Sequence, residues 1–170
     1  KAALTIMNQN LLEAVSACGC CLFPMFSFYP GWIVSHPDHA ITKAINAALP
    51  YLGGASNALN KLPAKMAPIH LPGLPHTHAL SAVTGMKVTV GVLKEIGERG
   101  FNLERLFNLR MGLTAADDTL PKRLTDEPQT ADNPKSLVPL AEMKAAYYKI
   151  RGWSKDGIPG EKKKKQLGLE

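Results

Sequence analysis

The stretch that decides the fold is Val88–Arg110, with the sequence VTVGVLKEIGERGFNLERLFNLR. Its apolar and small residues recur at steps of 3, 4, 3 and 4, which is the spacing of one face of an α-helix. The sequence therefore predicts a helix over 88–110 with one continuous apolar seam buried in the core. Truncating a large seam residue to alanine is expected to cost roughly 2–5 kcal/mol, because it leaves a cavity. The seam consists of Leu93, Ile96, Gly100, Leu103 and Phe107.

Two glycines lie inside this predicted helix, at Gly97 and Gly100. Each costs about 1 kcal/mol relative to alanine in a helix. They are useful only where another backbone packs closely, so we expect a close helix contact there. Glu95 and Arg99 are four residues apart and are expected to form a weak ion pair, worth a few tenths of a kcal/mol.

Four further segments have helical patterns. They lie near residues 2–17, 37–52, 136–150 and 160–167, with Pro37 and Ser136 as predicted helix starts. No stretch alternates apolar and polar residues as a strand would. The predicted fold class is therefore all-α, a multi-helix bundle.

Clusters of proline predict polar loops near 61–78 and 113–135. The second loop holds the adjacent carboxylates of Asp117 and Asp118. A general acid–base pair needs separated carboxyl groups in different environments. We therefore interpret this pair as a solvated turn after Gly112 that caps backbone N–H groups, not as catalytic machinery.

Composition excludes several classes of protein. With 170 residues, 45% hydrophobic and 20% charged, the chain can bury a core and is not disordered as a whole. The net charge is +6, but four of the basic residues are the consecutive Lys162–Lys165. Without them 16 basic residues face 14 acidic ones, a net charge of +2. The basicity is therefore local, and no nucleic-acid partner is expected.

All three cysteines fall within four positions, at Cys18, Cys20 and Cys21. Thiolates are the ligands that iron–sulfur clusters require, whereas a free cysteine in apolar surroundings is also a common small core residue. Spacing alone leaves both interpretations open. Three ligands from one tetrapeptide is implausible geometry, so at least one of these cysteines is expected only to pack.

The cysteine content suits a reducing compartment, and no signal-peptide pattern is visible, so a cytoplasmic location is expected. The uncharged stretch Ala14–Val34 is long enough to span a membrane. Glycines and prolines interrupt it, so we do not expect a membrane span. Because the chain begins with Lys1 and enters a helical pattern at once, we expect it to be a piece of a longer protein.

A series of short segments, in order and in register, resembles the C-terminal part of the tungsten-containing aldehyde:ferredoxin oxidoreductase family. The resemblance covers roughly residues 8–169 and is strongest over 95–169. The segments are Glu98-Arg99, Asn102–Asn108, Gly112, Asp117–Arg123, Glu127-Pro128, Tyr147-Tyr148, Arg151–Trp153, Asp156–Pro159 and Leu167–Leu169.

The resemblance implies that residues 1–170 are the helical C-terminal region of an enzyme whose N-terminal tungstopterin domain is missing. The family motif Asp-x-x-Gly-Leu-Cys lies between a pterin and a [4Fe-4S] cluster. Here Ser16–Cys21 occupies that motif. Cys21 thus falls on the metal-ligand position, and Ser16, Gly19 and Cys20 fall on positions near the pterin. The implied cofactors are a [4Fe-4S] cluster and a tungsten-bis-pterin in the full-length protein, with none held by this piece alone.

The implied activity is oxidation of aldehydes to carboxylic acids, with electrons passed to ferredoxin or an iron–sulfur electron-transfer subunit. Two departures leave an alternative, because Ser16 replaces the motif's aspartate and Cys20 its leucine. They suggest the divergent branch represented by the tungsten subunit of an ATP-independent benzoyl-CoA reductase. A non-catalytic helical interaction domain is a further alternative. On its own the piece is expected to be inactive.

Overall fold

The computed structural model describes residues 2–20, 35, 36, 38–48, 58, 60, 76–128 and 136–170. Within these residues the chain is helical, and its only β-type pairing there is an isolated bridge between Trp153 and Pro159. The all-α prediction is confirmed. The helices are α1 (Ala2–Ala17), α2 (Ala40–Ala48), α3 (His76–Thr84), α4 (Val90–Arg110), α5 (Lys122–Thr125), α6 (Leu140–Arg151) and α7 (Glu161–Leu167).

The predicted helices over 2–17, 88–110 and 160–167 match α1, α4 and α7 closely. The helix expected from Pro37 begins instead at Ala40, and its Ile41 is half exposed, not buried. Ser136 does not cap α6, which starts after Pro139. A proline within the helix would break its hydrogen-bond ladder, so the start is displaced beyond it.

Both predicted loops need correction. Residues 76–78 of the predicted loop 61–78 are instead the first residues of α3. Proline is tolerated at the start of a helix, so the prolines of this stretch do not prevent a helix from beginning at His76. Residues 61–75 lie outside the described residues. The predicted loop 113–135 contains the short helix α5, entered through Pro121 at φ −55°. None of the helices in the described part of the chain is long and apolar enough to cross a membrane.

The chain divides into two compact units, Ala3–Phe101 and Asn102–Glu170. In the first unit α1 and α4 approach so closely that a Cβ at Gly97 would overlap the carbonyl oxygen of Asn10. The predicted close backbone contact is confirmed at this glycine. At Gly100 the neighbour is a side chain, that of Glu13.

A small apolar cluster forms the core of the first unit. Thr89 fixes the start of α4, because its hydroxyl oxygen accepts a 3.3 Å hydrogen bond from the Val92 N–H. The turn between α3 and α4 is fixed by Ser81 of α3, whose hydroxyl oxygen accepts a 3.0 Å hydrogen bond from the Val88 N–H. The buried members are Ala14, Val88 and Leu93, with Leu11, Cys18, Leu80, Val92 and Ile96 packed around them.

The second unit is built differently. Leu103 and Phe107 are 55% and 61% exposed, whereas Asn102 and Arg105 are 0% and 7% exposed. The predicted seam is therefore right at Leu93 and wrong at Leu103 and Phe107. Successive helix residues are about 100° apart, so Asn102 and Arg105 lie on a different side of α4 from the two apolar residues.

Candidate functional site

The first candidate site is the C-terminal end of α1. The Gly19 N–H donates to the Ser16 carbonyl at 2.9 Å, and the Cys20 N–H donates to the Val15 carbonyl at 3.2 Å. This pair of bonds is a Schellman motif, which needs a left-handed residue after the helix. Gly19 supplies it, at φ +70°. A side chain there would be strained, so the glycine ends the helix and directs the chain toward Cys20.

The side chains at this end of α1 separate into two groups. Ser16, Gly19 and Cys20 are exposed, whereas Cys18 is partly buried against the apolar core. Burial, and then the neighbouring Cys20, raises the pKa of the Cys18 thiol above its ordinary value. Cys18 is thus a neutral packing group, as expected for at least one cysteine. Cys21, the predicted metal ligand, lies outside the described residues.

The donor chemistry at this end fits a cofactor that approaches from outside the described residues. An exposed hydroxyl at Ser16 and an exposed thiol at Cys20 lie within about one turn of chain, beside a glycine with no neighbouring atom within 4 Å of its Cβ position. The described residues include no group of three or more His, Cys, Asp or Glu able to hold a metal ion.

The second candidate site is a buried polar cluster in the second unit, which we call the Arg105 cluster. Its members are Asn102, Arg105, Asp118, Tyr148, Trp153 and Gly157.

The centre of the Arg105 cluster is an ion pair. The two terminal guanidinium nitrogens of Arg105 donate to the two carboxylate oxygens of Asp118, at 2.8 and 2.7 Å. The Arg105 Nε donates to the carbonyl oxygen of Gly157 at 2.9 Å. Gly157 has φ +71°, and a Cβ there would overlap the guanidinium. Glycine therefore permits this approach of backbone to charge.

Aromatic residues pack beside the two buried arginines of this unit. The Arg105 guanidinium lies 5.1 Å from the centroid of the Trp153 ring, within the range of a cation–π contact. The indole N–H of Trp153 donates to the side-chain oxygen of Asn102 at 2.7 Å. A second arginine, Arg151, is fully buried; its Nε donates to the Tyr147 hydroxyl at 3.0 Å.

Tyr148 completes the cluster by donating its hydroxyl proton to Asp118. Burial, together with the hydrogen bond to Asp118 and its charge, raises the pKa of Tyr148 to about 12. The phenol therefore stays protonated at neutral pH. Asp118 accepts from both Arg105 nitrogens and from Tyr148, so its oxygens are already occupied.

The neighbouring Asp117 behaves as a turn residue. It accepts from the Thr114 N–H at 2.7 Å and from the Thr114 hydroxyl at 2.9 Å. These bonds, the backbone one first, lower the pKa of Asp117. The predicted capping turn is confirmed for Asp117, whereas Asp118 forms a semi-buried ion pair instead of a solvated cap. Neither carboxylate is arranged as a free proton donor.

Sequence reasoning missed the Arg105 cluster as a unit. Asn102, Arg105 and Asp118 belong to residue types that are mostly exposed in proteins, so periodicity gave no sign that they would be buried. A usable signal was nevertheless present, because every member lies in one of the short segments that carry the family resemblance.

Comparison with known proteins agrees with that resemblance. A family model described as aldehyde ferredoxin oxidoreductase, domains 2 and 3, matches residues 1–169. The tungsten-containing aldehyde ferredoxin oxidoreductase of Pyrococcus horikoshii is 46% identical over 97 residues, 56% of this chain and 16% of that protein. The protein of the same name from Pyrococcus furiosus is 47% identical over 92 residues, 53% of this chain and 15% of that protein.

The matched part of this chain thus spans about one sixth of the length of these relatives. The family model, by contrast, covers almost every residue of the chain. The chain belongs to the aldehyde ferredoxin oxidoreductase family.

Proposed function

We propose that this chain is the helical part of an oxidoreductase that converts aldehydes into carboxylic acids and passes the electrons to ferredoxin or an iron–sulfur electron-transfer subunit. The observation that carries the proposal is the family match over residues 1–169. The names of the relatives, tungsten-containing aldehyde ferredoxin oxidoreductases, support the reaction. The remainder of such an enzyme, including an N-terminal tungstopterin domain, lies outside these 170 residues.

We assign Cys21 as a ligand of a [4Fe-4S] cluster in the full-length protein, with Ser16, Gly19 and Cys20 beside a tungsten-bis-pterin. When bound, these groups supply two-electron chemistry at the metal and single-electron relay through the cluster. The exposure of Ser16 and Cys20 supports the assignment, because a cofactor outside the described residues can reach them. The Schellman turn at Gly19 supports it too, since it fixes the direction of the chain just before Cys21.

Each residue of this segment has a separate task in the proposal. The Ser16 hydroxyl would hydrogen-bond a pterin nitrogen without adding charge. Gly19 leaves room for close approach of the cofactor. Cys18 anchors the end of α1 to the core and takes no part in binding.

The test is substitution of the cysteines in the full-length protein. Cys21→Ser should deplete iron and remove the electron paramagnetic resonance signal of the reduced cluster, because a ligand is lost. Cys18→Ala is the matched control and should retain both. Equal iron loss from the two variants, or full iron content in Cys21→Ser, would contradict the assignment of Cys21.

A second candidate is reduction of an aromatic acyl-CoA, as in ATP-independent benzoyl-CoA reductase. It is favoured by Ser16 and Cys20, which replace the aspartate and leucine of the family motif and so leave this exposed end without a carboxylate. Full-length protein should be assayed with aldehydes and ferredoxin, and separately with benzoyl-CoA and a low-potential electron donor. Turnover of benzoyl-CoA without aldehyde oxidation would replace the first proposal by the second.

A further inference from the structure

The second unit carries an apolar face on the C-terminal part of α4. Leu103, Phe107 and Met111 follow one another at steps of four residues and are 55%, 61% and 65% exposed. Met111 continues the helical path, because its N–H donates to the Phe107 carbonyl at 3.0 Å. Residues four apart lie along one side of a helix, so the three side chains form one stripe.

An open groove of about 630 Å³ adjoins the same end of α4. Leu113 and Ile158 line it and are themselves 42% and 47% exposed. Arg110 and Asp156 also contribute to the lining. An apolar surface with a few charged residues has the composition of a protein interface, and such patches on a soluble protein usually mark one.

We propose that this apolar face, Leu103, Phe107 and Met111 with the groove at Leu113 and Ile158, is the surface on which the rest of the full-length enzyme packs. The inference rests on the proposed function, which makes this chain part of a longer polypeptide. The 97 matched residues are 16% of the length of the Pyrococcus horikoshii protein, so the 170 residues of this chain correspond to under a third of it, and the larger part of such a protein is available to cover the face.

The same polypeptide is a better occupant than a second copy of this chain. The matching family model describes domains 2 and 3, which implies a further domain in the same protein. A covalently connected domain has a high effective concentration and needs no separate association step. The apolar side chains of the face then leave water when the enzyme folds, which is the usual driving force for such packing.

Photocrosslinking in the full-length protein tests the docking directly. Phe107 is replaced by p-benzoylphenylalanine, which keeps an aromatic side chain, and the crosslinked peptide is identified by mass spectrometry. A peptide from outside residues 1–170 supports the proposal. A peptide from within these residues, of the same copy or of another, overturns it. The matched control carries the probe at Val83, which is 86% exposed; it should crosslink at least tenfold less.

Peroxide oxidation of the unmodified full-length protein gives a second measurement without any substitution. Met111 and Met86 have similar exposure in this chain, 65% and 57%. Met111 should be oxidised at least tenfold more slowly than Met86 if the face is covered. Equal rates, or faster oxidation of Met111, would overturn the proposal.

Neither readout depends on cofactors or turnover. A full-length protein that crosslinks as expected but oxidises no aldehyde therefore fails the proposed function alone. One that oxidises aldehydes but crosslinks only within residues 1–170 fails the docking proposal alone.

Discussion

At its N-terminal end, helix α4 is buried through Leu93, against an apolar cluster, and through Gly97, against the backbone of α1. At its C-terminal end the buried residues are Asn102 and Arg105, which contact polar groups and an indole ring. One continuous helix thus uses two kinds of packing. The first end gains from removing apolar surface from water, and the second from satisfying buried charges and hydrogen bonds.

The difference has an energetic consequence. Apolar packing weakens gradually, because each methylene group contributes separately. Removing one partner of a buried ion pair lowers the free energy of unfolding sharply, because the other charge is left unsatisfied away from water. We therefore expect the second unit to be more sensitive to single polar substitutions than to apolar ones.

The largest effect is expected for Arg105→Ala. The substitution leaves the Asp118 carboxylate without its ion-pair partner. It also removes the hydrogen bond to the Gly157 carbonyl and the cation–π contact with Trp153. Loss of one partner of a buried pair costs about 3–5 kcal/mol, and the lower end is expected here because the Asp118 side chain is 29% exposed and can regain hydration. Urea unfolding of the 170-residue chain gives the change in the free energy of unfolding. Arg99→Ala, which breaks an exposed 3.4 Å pair with Glu95, is the control and should cost under about 0.5 kcal/mol.

A matched leucine pair tests the apolar end against the polar end. Leu93→Ala should lower the free energy of unfolding by about 3 kcal/mol, because Leu93 is 1% exposed and its truncation leaves a cavity. Leu103→Ala should cost under about 0.5 kcal/mol, because surface substitutions have small effects. Equal losses of unfolding free energy in the two variants would mean that Leu103 is buried like Leu93, as the single seam predicted from the sequence requires. The measurement is again denaturant unfolding.

Two glycines of α4 provide the next comparison. Gly97→Ala should cost about 1–3 kcal/mol, because its Cβ meets the rigid backbone of α1 at Asn10. Gly100→Ala should cost less than Gly97→Ala, since its Cβ meets the Glu13 side chain instead of backbone and alanine favours a helix by about 1 kcal/mol. Thermal unfolding followed by circular dichroism measures both. A larger loss for Gly100→Ala would mean that the helix contact is misplaced.

The smallest effect is a pH dependence from Tyr148. Its pKa rises from about 10 in the unfolded chain to about 12 in the folded one. The folded state therefore holds the proton more tightly, and the associated stability is complete below pH ~10 and declines between pH ~10 and ~12. Between pH 10 and 11 the native chain should lose about 1 kcal/mol more than Tyr148→Phe.

Urea unfolding at several alkaline pH values measures that loss. Tyr147→Phe keeps the Tyr148–Asp118 hydrogen bond but removes a second phenol whose pKa burial also raises, so this variant measures the contribution of Tyr147 separately. Identical pH profiles for the native chain and Tyr148→Phe would show that the phenol of Tyr148 titrates normally.

How far the sequence predicts this structure depends on the kind of packing. Helices α1, α4 and α7 could be predicted from apolar spacing and glycine stops. The glycine at position 97 also predicted the close approach of another backbone. The orientation of the second half of α4 did not follow, because spacing alone cannot tell whether Leu103 or Arg105 is buried. Arg105 is buried because it binds Asp118 and Gly157, which are distant in sequence and come together only in the folded chain.

The candidate cofactor site shows a similar limit. Its residues at the end of α1 could be found only through the family resemblance, since the spacing of three cysteines fits both a metal ligand and a core residue. The structure separates Cys18 from the exposed Ser16 and Cys20. The role of Cys21 stays a prediction, because it lies outside the described residues.

The most direct test of the account is a double-mutant cycle on Arg105 and Asp118. The single variants Arg105→Ala and Asp118→Ala and the double variant give the coupling free energy between the two side chains. We expect a coupling of about 2–3 kcal/mol, the upper range for residues in one ionic network. The same cycle on Glu95 and Arg99 should give under about 0.5 kcal/mol. A coupling for Arg105 and Asp118 as small as that of the exposed pair would contradict the claim that the polar end of α4 depends on a strong, largely buried ion pair.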